Sequence, residues 1–387
     1  MEPTALDFFE QALQTPSPSG YEEPLQRLVR RYIEPHADVT SIDVHGNLIA
    51  TLCPADPRAT SSKSSAESDA SDSDSLRPPR LMYAGHCDQI GMLVSHIDDD
   101  GFVYGQTIGG WDPQQLIGQA MTIWTQDGPV SAVISRKAIH LLTPEERKQV
   151  VQLNQMWLDV GAVKGRPGDD DSMIDGDSVR KAIRIGDPVT LELGMRRLLG
   201  DQVTGPGMDN KTGMWTVIDA LRRVAADRDN LNCELNSVST VQEEIGLRGA
   251  KTAAGHINPD VAIAVDVTHA TDCPGIEKNT QGDVRVGGGP VIFRGPNINA
   301  KVAQRLIDLC QSNDLPYQLA ALGRAAPNDS NVLQIHGGGV ATGLVGVPNR
   351  YMHSAVEVVS LSDIDHVAEL LKCFALALGP DDNFIPG

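Results

Sequence analysis

Apolar positions recur along the chain in three successive rhythms. The first is helical. Leu6 to Leu13 reads as one helix, Thr15-Pro16-Ser17-Pro18-Ser19-Gly20 breaks it, and Glu22 to Ile33 reads as a second, with Leu25, Leu28, Val29 and Ile33 on one face. Val39 to Val44 and Leu48 to Leu52, joined by His45-Gly46-Asn47, predict a hairpin. The apolar run Leu81 to Gly85 predicts a short buried strand that delivers His86 and Asp88 at its end. From about Asp98 to Leu193 the rhythm is that of short strands and turns: Phe102 to Gly105, Met121 to Thr125, Val130 to Ser135, Trp157 to Gly161 and Pro188 to Leu193. One helix is signalled there, with Thr143 as its cap, Pro144 in its first position and Glu145-Glu146 at its positive end. In the third stretch strand and helix alternate. A helix runs from Gly213 through Ala225 with Met214, Val217, Ile218, Leu221 and Val224 on its apolar face. A strand spans Leu235 to Val241, and Val261 to Val265 is a continuous apolar run typical of a buried parallel strand. A helix from Lys301 to Cys310, a glycine-rich turn and strand within Gly337 to Val347, and a last helix capped by Ser362 or Asp363 complete the order.

Alternation of this kind predicts an α/β fold, a mixed and largely parallel sheet flanked by helices, interrupted by an inserted, mainly β domain. Residues 1–91 and 195–387 form the discontinuous main domain and residues 92–194 the insertion, which carries few clustered metal-ligating side chains and is read as a packing and assembly module. Pro54 to Arg80 is rich in Ser, Asp, Ala and Pro and nearly devoid of apolar residues, so it is expected to be a disordered surface loop.

Composition narrows the class. The chain has 387 residues and a formal net charge of −19, which argues against nucleic acid and anionic membrane as partners. No apolar run is long enough to span a bilayer, and Met1-Glu2-Pro3-Thr4-Ala5-Leu6-Asp7 lacks the pattern of a signal peptide. Cys53, Cys87, Cys233, Cys273, Cys310 and Cys373 are scattered without CxxC pairing and are read as reduced thiols. The expectation is a soluble cytoplasmic enzyme.

The chemistry gathers around Ser239-Thr240-Val241-Gln242-Glu243-Glu244-Ile245-Gly246-Leu247-Arg248-Gly249-Ala250, where a β-prone run ends in two adjacent carboxylates. Adjacent residues at a strand end point in different directions, so one carboxylate can bind a metal while its neighbour stays free as a base. His86, Asp209, Glu244, Asp266 and His353 each lie at or just beyond a predicted strand end or at a helix start, where open α/β sheets bind ligands. Two histidines and three carboxylates suit two ions such as zinc or cobalt, bridged by a carboxylate, with Glu243 left as base and Asp88 placed to orient His86. HExxH and GxSxG are both absent, which excludes the single-zinc helix protease and the serine elbow.

With these residues the sequence resembles the M42 family of metallo-aminopeptidases, the glutamyl aminopeptidase or "endoglucanase M" group. The resemblance runs through Pro18-Ser19-Gly20-Tyr21-Glu22, Gly46-Asn47-Leu48-Ile49-Ala50, Gly85-His86-Cys87-Asp88-Gln89-Ile90-Gly91, Ile139-His140-Leu141-Leu142 with Pro144-Glu145-Glu146-Arg147, Asp209-Asn210, Thr240 to Ala250, Asp266-Val267-Thr268 with Asp272-Cys273-Pro274-Gly275, and Arg350-Tyr351-Met352-His353-Ser354. It implies that His86 and Asp266 bind one metal, Glu244 and His353 the other, and Asp209 bridges, with Glu243 as general base. It further implies that the inserted domain builds dimers, which assemble into a dodecamer. Gln89 stands where the family commonly has Glu, Lys211 where it often has Arg, and the Pro54–Arg80 loop is longer than usual; none of these removes a ligand or the base. The expected activity is removal of N-terminal residues from short peptides. Its rivals are a related di-metal amidohydrolase or carboxypeptidase, and a catalytically silent assembly protein.

Overall fold

The computed structural model describes residues 1–55, 77–162 and 174–386. Among them, the largest sheet has eight strands in the spatial order Val39–Ile42, Leu48–Leu52, Glu234–Thr240, Arg80–His86, Val261–His269, Ala341–Asn349, Val291–Arg294 and Gln318–Ala321. Its four central strands, from Glu234–Thr240 to Ala341–Asn349, are mutually parallel; antiparallel pairings join the outer strands to them. These central strands are covered on both faces, which is why Leu81 to Ala84 and Val261 to Val265 read as unbroken apolar runs and are buried throughout. Helices Met208–Ala226, Ala300–Ser312 and Leu361–Ala377 pack on one side, and Arg248–Ile257 with the short Ser330–Leu333 on the other. Parallel pairing brings four carboxyl-terminal strand ends to the same edge of the sheet, where the crevice for a ligand lies.

The inserted segment closes into a barrel in the order Gly91–Ile97, Val103–Ile108, Trp157–Asp159, Gly128–Ser135, Gln119–Thr125 and Pro188–Leu191. Closure removes sheet edges, and the barrel encloses its own core of Met92, Val94, Val103, Leu116, Met121, Ile123, Ile134, Leu158 and Val189. A separate small sheet joins Arg196–Arg197, Gln202–Gly205 and Glu357–Ser360.

Several local expectations need correction. Thr143 and Glu146 do form the reciprocal pair of a capping box, with Thr143 N donating to Glu146 Oε2 at 2.6 Å and Glu146 N to Thr143 Oγ1 at 3.2 Å. Only a 3₁₀ turn, Glu146–Lys148, follows, because the chain must extend to bury Val151 in the barrel core. The last helix, Leu361–Ala377, is capped by Ser360, whose hydroxyl accepts from Asp363 N, and not by Ser362 or Asp363. The carboxylate of Asp363 instead accepts the N–H groups of Gly287 and Gly289 and fixes that glycine turn. The helix Arg248–Ile257 and the strands Val291–Arg294 and Gln318–Ala321 were not expected. Most of the predicted loop Pro54–Arg80, residues 56–76, lies outside the described residues. Its far end is structured: Arg77 pairs with Asp260 at 2.7 Å and Arg80 opens a central strand.

Candidate metal centre

His86 ends the strand Arg80–His86 and is 2% exposed. Its Nε2 lies 3.3 Å from Asp209 Oδ1, 3.6 Å from Asp266 Oδ1 and 3.7 Å from Glu243 Oε2. Its Nδ1 faces the backbone carbonyl of Asp88 at 3.0 Å and the Asp88 carboxylate at 3.4 Å. His353 follows the strand Ala341–Asn349 in a left-handed conformation, φ +61°, with its Nε2 3.2 Å from Asp209 Oδ2 and 3.5 Å from Glu244 Oε1. Its Nδ1 faces the carbonyl of Gly110 at 2.8 Å. Both imidazoles therefore present Nδ1 to a carbonyl acceptor, which selects the tautomer with the proton on Nδ1 and frees Nε2 as a ligand.

Asp209 stands between the two rings, one carboxylate oxygen toward each. The chain reaches it through Gly207 at φ +76°, and Asp209 and Asn210 are non-helical at the head of Met208–Ala226. The Asp209–Asn210 peptide bond is cis. Asn210 holds the junction: its Nδ2 donates to Val265 O at 2.8 Å and its Oδ1 accepts Gly213 N at 2.9 Å. Asp266 lies within Val261–His269, a strand that continues four residues past the apolar run Val261 to Val265.

The adjacent glutamates follow the strand Glu234–Thr240 through Gln242 at φ +55°, and the chain then turns at Gly246 and Leu247. Asp88 organises this corner. Its Oδ1 accepts Glu243 N at 3.0 Å, its Oδ2 accepts Glu244 N at 3.2 Å, and Ser19 Oγ donates to Oδ2 at 2.7 Å. Asp88 thus grips His86 chiefly through its carbonyl and the two glutamates through its carboxylate.

Sequence reasoning missed two carboxylates. Glu357 is 2% exposed and accepts Asp209 N at 3.1 Å and His353 N at 2.8 Å, tying two of the predicted site residues together. Asp329 accepts Thr240 Oγ1 at 2.7 Å at the end of the strand that leads to the glutamates. For Glu357 the signal was a charged residue inside the β-branched run Val356-Glu357-Val358-Val359; for Asp329 the flanking sequence offered none.

So many buried carboxylates need positive charge. Burial pushes Glu243 far above the usual carboxylate range, Glu244 and Asp329 up to about 7 and Glu357 up to about 8. Burial would raise Asp209 as well, but hydrogen bonds from His353 and His86 hold it below its ordinary value. The nearby carboxylates of Asp209 and Glu244 raise His353 to about 11. Left to itself, the cluster balances its charge by holding protons. Glu244 Oε1 and Asp329 Oδ1 are also buried without a hydrogen-bond partner. His86, Asp209 and Glu244, and again His86, Glu243 and Asp266, each bring ligand atoms within 4.8 Å of one another. Nitrogen and carboxylate donors in such groups fit borderline divalent cations.

A profile of the M42 glutamyl aminopeptidases matches residues 70–370. The chain belongs to the M42 aminopeptidase family. It is 31% identical over 380 residues to the lysyl aminopeptidase of Pyrococcus furiosus, covering 97% of this chain and 98% of that one. Its fold matches the TET aminopeptidase from a marine sediment archaeon of the Thaumarchaeota with a TM-score of 0.84 at 26% identity, over 97% of each chain. It also matches the TET1 peptidase of Pyrococcus horikoshii, which can assemble into a tetrahedron or a large octahedral shell, with a TM-score of 0.78 at 26% identity, over 97% of this chain and 100% of that one. The protein is therefore a hydrolase of the aminopeptidase class, and M42 peptidases depend on metal. No helix among the described residues is long and apolar enough to cross a membrane.

Proposed function

We propose that this M42 aminopeptidase holds two divalent cations, zinc or cobalt, with His86 and Asp266 on one side, Glu244 and His353 on the other, and Asp209 shared between them. The observation that carries this reading is the position of Asp209, whose two oxygens lie 3.3 and 3.2 Å from Nε2 of His86 and His353. A carboxylate so placed is built to bridge. The cations supply Lewis acidity that makes water nucleophilic near neutral pH and polarises the scissile carbonyl.

Glu243 is the general base. It faces the cluster at 3.7 Å from His86 Nε2, and its backbone is fixed by Asp88. Its carboxylate is buried and shifted upward, the direction that strengthens a carboxylate as a proton acceptor. In the first step Glu243 takes the proton of the attacking water. It then delivers that proton to the leaving amine as the tetrahedral centre collapses. Asp88 keeps both glutamates on one rigid corner, so that Glu244 serves as ligand while Glu243 stays free.

The substrates are short peptides with a free amino terminus. The barrel, residues 92–194, acts as the dimerisation domain of the two-domain chain, and dimers assemble into a homo-oligomer of the dodecameric type; the shells formed by the Pyrococcus horikoshii relative support this reading. Six free cysteines, several of them buried, support a reducing, cytoplasmic setting. The test is a panel of aminoacyl-anilides and their N-acetylated counterparts, assayed before chelation, after it, and with zinc or cobalt restored. Cleavage restored by metal and confined to free amino termini is the expected result. Cleavage that survives exhaustive chelation, or extends to the acetylated substrates, would overturn the proposal.

A further inference from the structure

The hydrogen bond from His353 comes from outside the sheet. Gly110 follows the barrel strand Val103–Ile108, yet its carbonyl is the acceptor for His353 Nδ1 at 2.8 Å. Its neighbour Gly109 has φ +74°, and a Cβ there would stand 2.6 Å from Ile90 Cγ2 and 3.3 Å from Glu244 Oε2. A Cβ on Gly110 would stand 3.4 Å from His353 Nδ1. The turn thus lies against both residues assigned to the second cation. It is held to the barrel at both ends. Trp111 Nε1 donates to Gly91 O at 2.9 Å, Asp112 caps the short helix Pro113–Leu116, and Leu116 is buried in the barrel core.

We infer that the Gly109-Gly110 turn of the barrel is a positioning element of the metal centre: it fixes the tautomer and orientation of His353 and so sets the affinity of the Glu244–His353 cation position, leaving the His86–Asp266 position independent of it. This rests on the two-cation reading above. A backbone carbonyl that accepts the second ring N–H of a metal-ligating histidine fixes the ring, and loss of such partners costs about 10–100-fold in metal affinity. The barrel is thereby part of the active site as well as a candidate for assembly. Displacement of its rim would act on one cation and spare the other.

The test is a cobalt titration of the apoprotein, followed by calorimetry and by the visible absorption of the bound ion. Wild type should take up two equivalents; uptake of fewer would defeat the two-cation reading itself. Gly109→Ala places a methyl group where only hydrogen fits. It should weaken one equivalent by at least 10-fold, leave the other within about twofold, and change the absorption of the weakened ion alone. Gly118→Ala is the control: φ is +83°, with nothing within 4 Å of the added Cβ, so it carries the backbone strain without the contact. Gly118→Ala should lose thermal stability and keep both affinities. Trp111→Phe, which removes the anchor to Gly91 without adding bulk, should weaken the same equivalent, and it decides the matter if Gly109→Ala does not fold. Equal weakening of both equivalents, or two wild-type affinities in whichever folded variant is read, would overturn the inference.

Discussion

Gly85 and Gly213 hold the two sides of the metal centre together, and a single methyl group at Gly85 should part them. Gly85 precedes His86 on its strand; Gly213 lies one turn into the helix headed by Asp209. A Cβ on Gly85 would stand 2.6 Å from both the carbonyl carbon and the carbonyl oxygen of Gly213 and 2.7 Å from Met214 N. Ordinary contact begins near 3.4 Å, so Gly85→Ala requires the strand and helix to separate by about 0.8 Å. All three obstructing atoms are backbone, so no side chain can swing aside. Overpacking of this kind costs about 1–3 kcal/mol, and the rigidity of both elements places Gly85→Ala at about 2–3 kcal/mol. Asp209 moves with the helix and His86 with the strand, so their 3.3 Å approach opens to about 4 Å. A displacement near 1 Å in a reacting geometry costs on the order of 100-fold in rate. Urea denaturation, cobalt titration and kcat/KM on an aminoacyl-anilide would be measured together. Gly343→Ala is the comparison, because its Cβ would meet Val302 Cγ1 at 2.7 Å, a similarly close approach but to a side chain, near the opposite end of the sheet. It should lose stability and keep activity. If Gly85→Ala lost only stability, with metal affinity and turnover unchanged, the claim that strand–helix contact sets the His86–Asp209 geometry would be refuted.

Further expectations follow from the same arrangement. Glu243→Gln removes the proposed base but no assigned ligand, so kcat should fall by about 10²–10⁴-fold with metal binding unchanged; near-normal turnover would show that another group takes the proton. Glu357→Gln turns an amide N–H₂ toward one of two backbone donors, Asp209 N and His353 N, and should weaken metal binding by about 10-fold, read by competition with a chromogenic chelator; unchanged binding would leave Glu357 a purely structural residue. Asp219 is fully buried with Arg222, Arg223 and the Tyr32 hydroxyl, and despite the burial its contacts hold its carboxyl below the ordinary value. Its stabilising contribution is present above the unfolded-state pKa, about 3.9, and is lost as pH falls through the lower folded-state value. Asp219→Asn should therefore cost about 3 kcal/mol at pH 7, and the gap to wild type should close below about pH 4; a gap independent of pH would contradict the assignment.

The predicted site residues were legible because each lies at or just beyond a predicted strand end or, like Asp209, at a helix start. His86, Asp266 and the Glu243-Glu244 pair stand at or just past the end of a predicted buried strand, and polar side chains there need a reason when the strand is buried on both faces. The sheet then brings those ends together by parallel pairing alone, which places Thr240 opposite His86. Glu357 and Asp329 escaped notice for a complementary reason. Each takes a partner remote in sequence: Glu357 receives Asp209 from 148 residues away, besides His353 from four, and Asp329 receives Thr240 from 89. No local pattern encodes such a pairing. The Thr143 capping box shows the reverse failure. Its local bonds form as expected, and the helix still stops after one turn, because burial of Val151 outweighs a cap worth about 1 kcal/mol.

The same contrast explains how the two parts of the chain share the site. The sheet domain supplies the assigned ligands and Glu243, all of which are polar side chains at predicted strand ends or a helix start. Among the described residues the barrel supplies a backbone carbonyl, at Gly110, and room for it, at Gly109. A carbonyl has no sequence signature, so Ile108-Gly109-Gly110-Trp111 reads as a turn like any other, and the barrel as a module without chemistry. Geometry reverses that judgement at one point. Without the turn, His353 Nδ1 would lose the acceptor that selects its tautomer, and the ring would be held only by its carboxylate partners Asp209 and Glu244. Those two are drawn toward any bound cation, whereas the Gly110 carbonyl is fixed by the barrel whether or not metal is present. The barrel thus preorganises the ligand that the sheet domain alone would leave to be ordered by binding.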